Sequence, residues 1–237
     1  MSAAEQERGL VTEVASRVAL VRDRIARAGG DPERVRIVAV TKGFGPGQVA
    51  AAVAAGLGEL GENYADELVA KAPAAGGLAR WHFLGSIQRN KVRRLAPLVG
   101  CWQSVARIEE AESILRRHEL LGAGAVTPAP CMLVEVETTG IAGRGGCPAE
   151  AVPALVARLR ALGCAPEGLM TVAAPDDPAG ASRSFARVAA LARELGLREL
   201  SMGMSGDLEQ AVAEGATMVR LGTALFGSRP DRRRLQQ

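Results

Sequence analysis

Aromatic side chains make up only 3% of the 237-residue chain: one Tyr, two Trp and four Phe. A surface that stacks unpaired bases needs several rings on one face, so a nucleic-acid partner is excluded. The basic runs Arg89 to Arg94 and Arg229 to Arg234 read instead as solvated surface. Cysteine is sparse and scattered. Cys101, Cys131, Cys147 and Cys164 form no Cys-x-x-Cys pair, which excludes a thiol-built metal site and a disulfide framework and points to a reducing, cytoplasmic setting. No apolar run is long enough for a membrane span, and the first residues alternate Glu5, Glu7, Arg8, Glu13 and Arg17, unlike a signal or transit peptide. The net charge of +3 is too small to imply a polyanionic partner.

What the chain does have is one core's worth of apolar residues, 48% of the total, with no linker dividing them. A single domain is therefore expected: a lead-in over 1–34, a body over 35–229 and a basic tail over 230–237. Leu10, Val14, Val18, Val21 and Ile25 recur every three or four residues, which predicts a helix from Glu5 to Ala28 ended by Gly29-Gly30. Val35 to Val40 is a short β-branched run between turn residues and predicts a buried strand. The same unit then repeats. Further strands are expected at 58–61, 81–84, 101–105, 131–136, 166–171, 199–202 and 218–221, and helices at 48–55, 64–72, 90–98, 108–121, 149–162, 179–195 and 207–213. Gly122 to Ala129 reads as a loop. Eight alternating β/α units predict an α/β fold, a single closed (β/α)8 TIM barrel with an extra N-terminal helix. An open dinucleotide-binding sheet would show Gly-x-Gly-x-x-Gly after its first strand, and Gly43-Phe-Gly-Pro-Gly47 does not fit that spacing.

In such a barrel, chemistry sits just after the C-terminal ends of the strands. Lys42 stands there, and it is one of only three lysines among 29 basic residues. A plain surface cation could have been Arg, whereas an amine that must lose its proton cannot. A desolvated lysine is a Schiff-base former with an aldehyde or ketone. After strand seven, Leu200-Ser-Met-Gly-Met-Ser-Gly-Asp207 combines a sharp glycine turn with a cap for the next helix, and Gly222-Thr223 follows strand eight. Those two places are where barrels often bind phosphate. Together with Lys42 they point to one ligand bearing both an aldehyde and a phosphate. A sugar-phosphate aldolase remains compatible with the residues at this point.

Val38-Ala-Val-Thr-Lys42, Gly61-Glu-Asn-Tyr64, Trp81-His-Phe-Leu-Gly-Ser-Ile-Gln-Arg-Asn-Lys91, Leu200-Ser-Met-Gly-Met-Ser205 and Met218-Val-Arg-Leu-Gly-Thr-Ala-Leu-Phe-Gly227 together resemble the pyridoxal phosphate homeostasis proteins (YggS/PROSC type). The resemblance runs from about residue 10 to 229. It implies a barrel like the N-terminal domain of alanine racemase, with pyridoxal 5'-phosphate (PLP) as cofactor and Lys42 as its aldimine lysine. It also implies that Ser201, Met204, Ser205, Gly222 and Thr223 surround the phosphate, and that Asn63 and Arg220 lie near the ring. The chain departs from the family at Glu137 and Arg144-Gly-Gly146, where an Asn and a Lys-Ser-Gly are usual.

Arg220 can only donate hydrogen bonds, so at a pyridine nitrogen it would keep that atom unprotonated and weaken the ring as an electron sink. Racemisation would also need a second acid/base opposite the lysine. The one tyrosine, Tyr64, is expected to pack behind the ring or start a helix, and His82 to be a hydrogen-bonded core or rim group. The expectation is therefore a non-catalytic, reversible PLP carrier acting in PLP homeostasis. Apo PLP-dependent enzymes are its expected recipients, the chain is expected to be a monomer, and a small PLP-dependent amino-acid racemase is the alternative.

Overall fold

The computed structural model describes residues 2–122, 130–175 and 177–229. The expected 230–237 tail, and the expected loop at 122–129 apart from Gly122, lie outside the described residues. The strands are β1 (Arg36–Val40), β2 (Glu59–Glu62), β3 (Arg80–Phe83), β4 (Val99–Val105), β5 (Cys131–Glu137), the two-residue β6 (Cys147–Pro148), β7 (Gly168–Met170), β8 (Glu199–Ser201) and β9 (Met218–Leu221). Their order is β4-β3-β2-β1-β9-β8-β7-β5, and β4 also pairs with β5. All these pairings are parallel, so eight strands close into the expected barrel. The sequence reading does not contain β6, which extends the end of β5 through the pairs Val136 with Cys147 and Glu137 with Pro148.

Around the barrel run α2 (Pro46–Ala54), α3 (Ala65–Lys71), α4 (Arg89–Leu95), α5 (Ile108–Gly122), α6 (Val152–Ala161), α7 (Pro178–Glu194), α8 (Leu208–Ala213) and the short α9 (Thr223–Phe226). The N-terminal helix α1 (Ala3–Arg27) starts on a capping box, in which Ser2 and Glu5 each bond the other's backbone amide. Its buried face carries Val14, Val21 and Ile25. Arg17 of α1 donates to the Leu225 carbonyl at 3.3 Å, and Arg24 donates to the Ser205 carbonyl at 3.1 Å, so the helix is tied to the loops after β8 and β9. No helix among the described residues is long and apolar enough to cross a membrane.

Most of the core lies between strands and helices, and includes Trp102, Phe185, Leu60 and Leu169. A second apolar cluster consists of Val38, Cys101, Cys131, Leu133, Met170 and Met218. Side chains alternate along a strand, so the parity of Val38 carries through Val40 to Lys42, and that of Cys131 and Leu133 carries to Glu135. The inner wall is also polar in places. Gln103 Nε2 lies 2.6 Å from His82 Nδ1, and the other ring nitrogen of His82 meets Glu59. Ser201 Oγ donates to Gln103 Oε1 at 2.6 Å and accepts from Arg220 Nη1 at 2.8 Å. A hydrogen-bonded column thus runs from Glu59 on β2 to Arg220 on β9. His82, Gln103 and Ser201 are fully buried. Leaving any member unpaired would cost about 1–3 kcal/mol, which is why the column is continuous.

Candidate functional site

At the C-terminal ends of the strands lies a cavity of about 500 Å3. Its wall includes Lys42, Asn63, Met204, Ser205, Arg220, Gly222 and Thr223, seven of the eight residues expected there. The eighth, Ser201, does not line it. Ser201 is fully buried, with its hydroxyl committed to Gln103 and Arg220. Its parity points it along the column instead of up into the loops.

Lys42 leaves β1 just before a turn in which Phe44 N–H bonds the Thr41 carbonyl at 3.0 Å and Gly43 takes φ +75°. A positive φ favours glycine there, so the chain can reverse immediately after the lysine. Among the described residues the Lys42 amine makes no hydrogen bond and no ion pair. Burial, then the positive charges of Arg229 and Arg220, hold it below the ordinary lysine value, while Glu62 pulls the other way. A partly desolvated amine with no partner is a nucleophile in waiting.

Arg220 is buried, and three of its five N–H donors are spent: Nη1 on the Ser201 carbonyl at 2.6 Å and on Ser201 Oγ, Nη2 on the Thr171 carbonyl at 2.7 Å. Burial pushes its pKa down to about 10, against the charges of Glu135 and Asp207. The loop after β8 is held by Met204 N–H on Asp207 Oδ1 at 2.5 Å, and Ser205 Oγ accepts from Ala224 N–H at 3.1 Å. That second bond joins the two expected phosphate loops. It leaves the Ser205 hydroxyl proton free to donate. Gly222 approaches β1 closely, since a Cβ there would lie 3.2 Å from the Val40 carbonyl oxygen. Asn63 Oδ1 is buried and has no partner among the described residues. An orphaned acceptor of this kind is a group that a ligand donor would satisfy.

Two wall residues escaped sequence reasoning. Arg229, placed in a solvated run by composition, lines the cavity and acts on Lys42. Glu135 is the only acid on the wall among the described residues. Its carboxyl is pushed up to about 6 by burial, against Arg220 and Arg144, with Glu110 adding to the rise. It makes no hydrogen bond or ion pair among the described residues. β5 stands four places from β1 in the ring of eight, so Glu135 and Lys42 come from opposite sides of the barrel. Its inward parity in β5 was the available signal.

The departing loop after β5 is anchored locally. Glu137 accepts from Thr139 and Gly140, and Arg144 Nη1 donates to the Val172 and Ala173 carbonyls at 3.1 and 3.0 Å. His82 is the core histidine expected. Tyr64 starts α3 as its N-cap and is half exposed, so it forms no buried backing.

Residues 14–230 match the family described as alanine racemase, N-terminal domain. A pyridoxal phosphate homeostasis protein of Pseudomonas aeruginosa is 40% identical over 225 residues, which is 93% of this chain and 96% of the relative. The chain belongs to the pyridoxal phosphate homeostasis protein family. Among solved structures similar to this family member is PipY of Synechococcus elongatus with PLP bound, 31% identical, with a TM-score of 0.75 over 90% of this chain and 100% of that one. Alanine racemase from Bacillus anthracis superposes with a TM-score of 0.65 at 19% identity, covering 94% of this chain and 57% of that one. That likeness shows the shared barrel alone.

Proposed function

We propose that the chain binds PLP in the cavity, held reversibly through a carbon–nitrogen double bond to Lys42, and acts in cytoplasmic PLP homeostasis without substantial catalysis. One observation carries this reading. A partly desolvated lysine with no hydrogen-bond or ion-pair partner among the described residues shares one cavity wall with Ser205, Gly222 and Thr223, where a phosphate would be met by hydroxyls and backbone, and with Arg220. Membership of the homeostasis family supports it, as does the PLP bound in PipY. PLP would supply the aldehyde, and the chain's residues would hold it. Lys42 would bond the carbonyl carbon, Arg220 would offer its two spare N–H donors from the cavity wall, and Asn63 Oδ1 would take a ligand donor. Met204 lines the cavity beside Ser205.

Under this reading the whole of 1–237 works as one PLP-binding domain, a monomer that passes the cofactor to apo PLP-dependent enzymes. Ser201 contributes by fixing Arg220, from behind the wall. The test is spectroscopic. The purified chain supplied with PLP should show an imine band near the visible that is absent in Lys42→Ala, and borohydride should fix the cofactor's mass on Lys42. A chain that stays colourless with PLP present, or that is trapped at another lysine, overturns the proposal.

A second reading, a small PLP-dependent amino-acid racemase, rests on Glu135, the acid on the barrel strand opposite Lys42. Exchange of an amino acid's α-proton into deuterated water at enzymatic rates, lost in Glu135→Gln, would favour it over the carrier.

A further inference from the structure

Behind Lys42, on the side of α3, lies a buried cluster of charges that the cavity chemistry does not use. Glu67 and Lys71 sit one turn apart on α3, and Lys71 is only 5% exposed. Its ammonium spends all three donors: on Glu67 Oε2 at 2.6 Å, on Glu62 Oε2 at 2.9 Å and on the Thr41 carbonyl at 2.7 Å. Glu62 is fully buried at the end of β2. It also accepts from Thr41 Oγ1 at 2.9 Å and from Asn63 N–H at 2.9 Å. Glu67 Oε2 accepts from Gly43 N–H at 2.9 Å. The cluster therefore grips the chain on both sides of Lys42, at the Thr41 carbonyl and at the Gly43 amide, and joins that turn to the loop carrying Asn63.

Burying the charges of Glu62 and Lys71, with Glu67 about a quarter exposed beside them, is costly unless the arrangement is complete, and an apolar filling would serve stability as well or better. The position of the cluster supplies a reason for it. We infer that Lys71, acting through Glu62 and Glu67, is a positioning residue for Lys42: it fixes the turn that aims the amine into the cavity and screens that amine from the Glu62 carboxylate. The inference rests on Lys42 being the reactive amine of the proposed function.

The charged groups acting on Lys42 are Arg229 and Arg220, which disfavour its protonated form, and Glu62, which favours it. Glu135 faces it across the cavity. Glu62 is thus the neighbour whose field works against a free amine, and Lys71 is the cation paired with that carboxylate at 2.9 Å, which weakens the field without removing it. With Lys71 removed, Glu62 stands uncompensated. Lys42 then gains affinity for its proton, and less free amine is present near neutrality. An opposite charge at close range moves a titration by about 1 unit or more, so the free amine near pH 7 should fall about tenfold.

The experiment follows modification of Lys42 by trinitrobenzenesulfonate in the full chain freed of PLP, with the labelled peptide quantified by mass across pH. Lys71→Met should shift the Lys42 midpoint upward by about 1 unit and slow labelling near pH 7 about tenfold. Glu62→Gln should shift it downward. The double variant, lacking both charges, should return towards the parent midpoint, which a purely structural loss would not do. Coincident midpoints for Lys71→Met and the parent, or a folded double variant that fails to recover, overturn the inference. Should Lys71→Met not fold, Glu62→Gln alone decides, because an unmoved midpoint there overturns it too. The labelling needs no cofactor. A Lys42 that titrates as inferred in a chain that takes up no PLP would sink the cofactor reading alone, and the converse result would sink this one alone.

Discussion

Replacing Glu135 with Gln should stabilise the chain in one half of the pH range and leave it unchanged in the other. The carboxyl is pushed up to about 6 from an ordinary value of 4.5, chiefly by burial, even with Arg220 and Arg144 nearby. A raised acid is one whose ionised form the fold disfavours. The folded chain therefore binds more protons than the unfolded chain between those two values, and stability falls as pH rises through that window. Above about pH 6 the penalty is complete. At about 1.4 kcal/mol per unit it is about 2 kcal/mol. Gln keeps the shape and has no such penalty, so Glu135→Gln should match the parent near pH 4 and exceed it by up to about 2 kcal/mol near pH 8. For a chain of this size that is a rise of roughly 4–8 °C in melting temperature. Urea unfolding of both proteins without PLP, from about pH 4 to about pH 8, measures it. A variant that is no better at the alkaline end than at the acid end would show that the carboxylate is solvated or paired, and the reasoning would fail.

Gln103→Met should lower stability by roughly 2–5 kcal/mol, because it leaves both His82 Nδ1 and the Ser201 hydroxyl without their buried partner. Denaturant unfolding should show an earlier midpoint with an unchanged slope, and an unchanged midpoint would mean that the column is not continuous in solution. Gly203→Ala forces a side chain onto φ +94° and puts a Cβ 2.5 Å from that of Ala211, at the base of the loop carrying Met204 and Ser205. A loss of about 2 kcal/mol or more is expected, together with weaker PLP uptake in a titration. A variant that melts with the parent would contradict that loop geometry.

Much of this molecule is legible along the chain. Leu10, Val14, Val18, Val21 and Ile25 specify α1 by spacing alone, and the β-branched run before Thr41-Lys42 specifies β1, because both signals are local and depend on which side of an element is buried. The scarcity of lysine singled out Lys42, and the glycine turns marked the loops after β8 and β9. Element ends moved by one to three residues, the most at the end of α4 and the start of α6. The turn α9 and the pair Cys147–Pro148 were not visible, since one is a single helical turn and the other exists only through its partner strand.

Side-chain company was decided elsewhere. Glu59 meets His82 across 23 positions, and Ser201 meets Gln103 across 98. Nothing near Ser201 in sequence says that its hydroxyl faces a glutamine on the far side of the sheet and not a phosphate. Glu135 reads as one polar residue in an apolar strand until the pairing of β4 with β5 closes the ring and sets it opposite Lys42. Arg229 reads as part of an arginine run until the chain returns beside the first turn. Composition and periodicity thus determined the barrel and the amine at its rim. Closure of the sheet determined that amine's neighbours, because strand order and register bring together groups whose separation along the chain carries no signal.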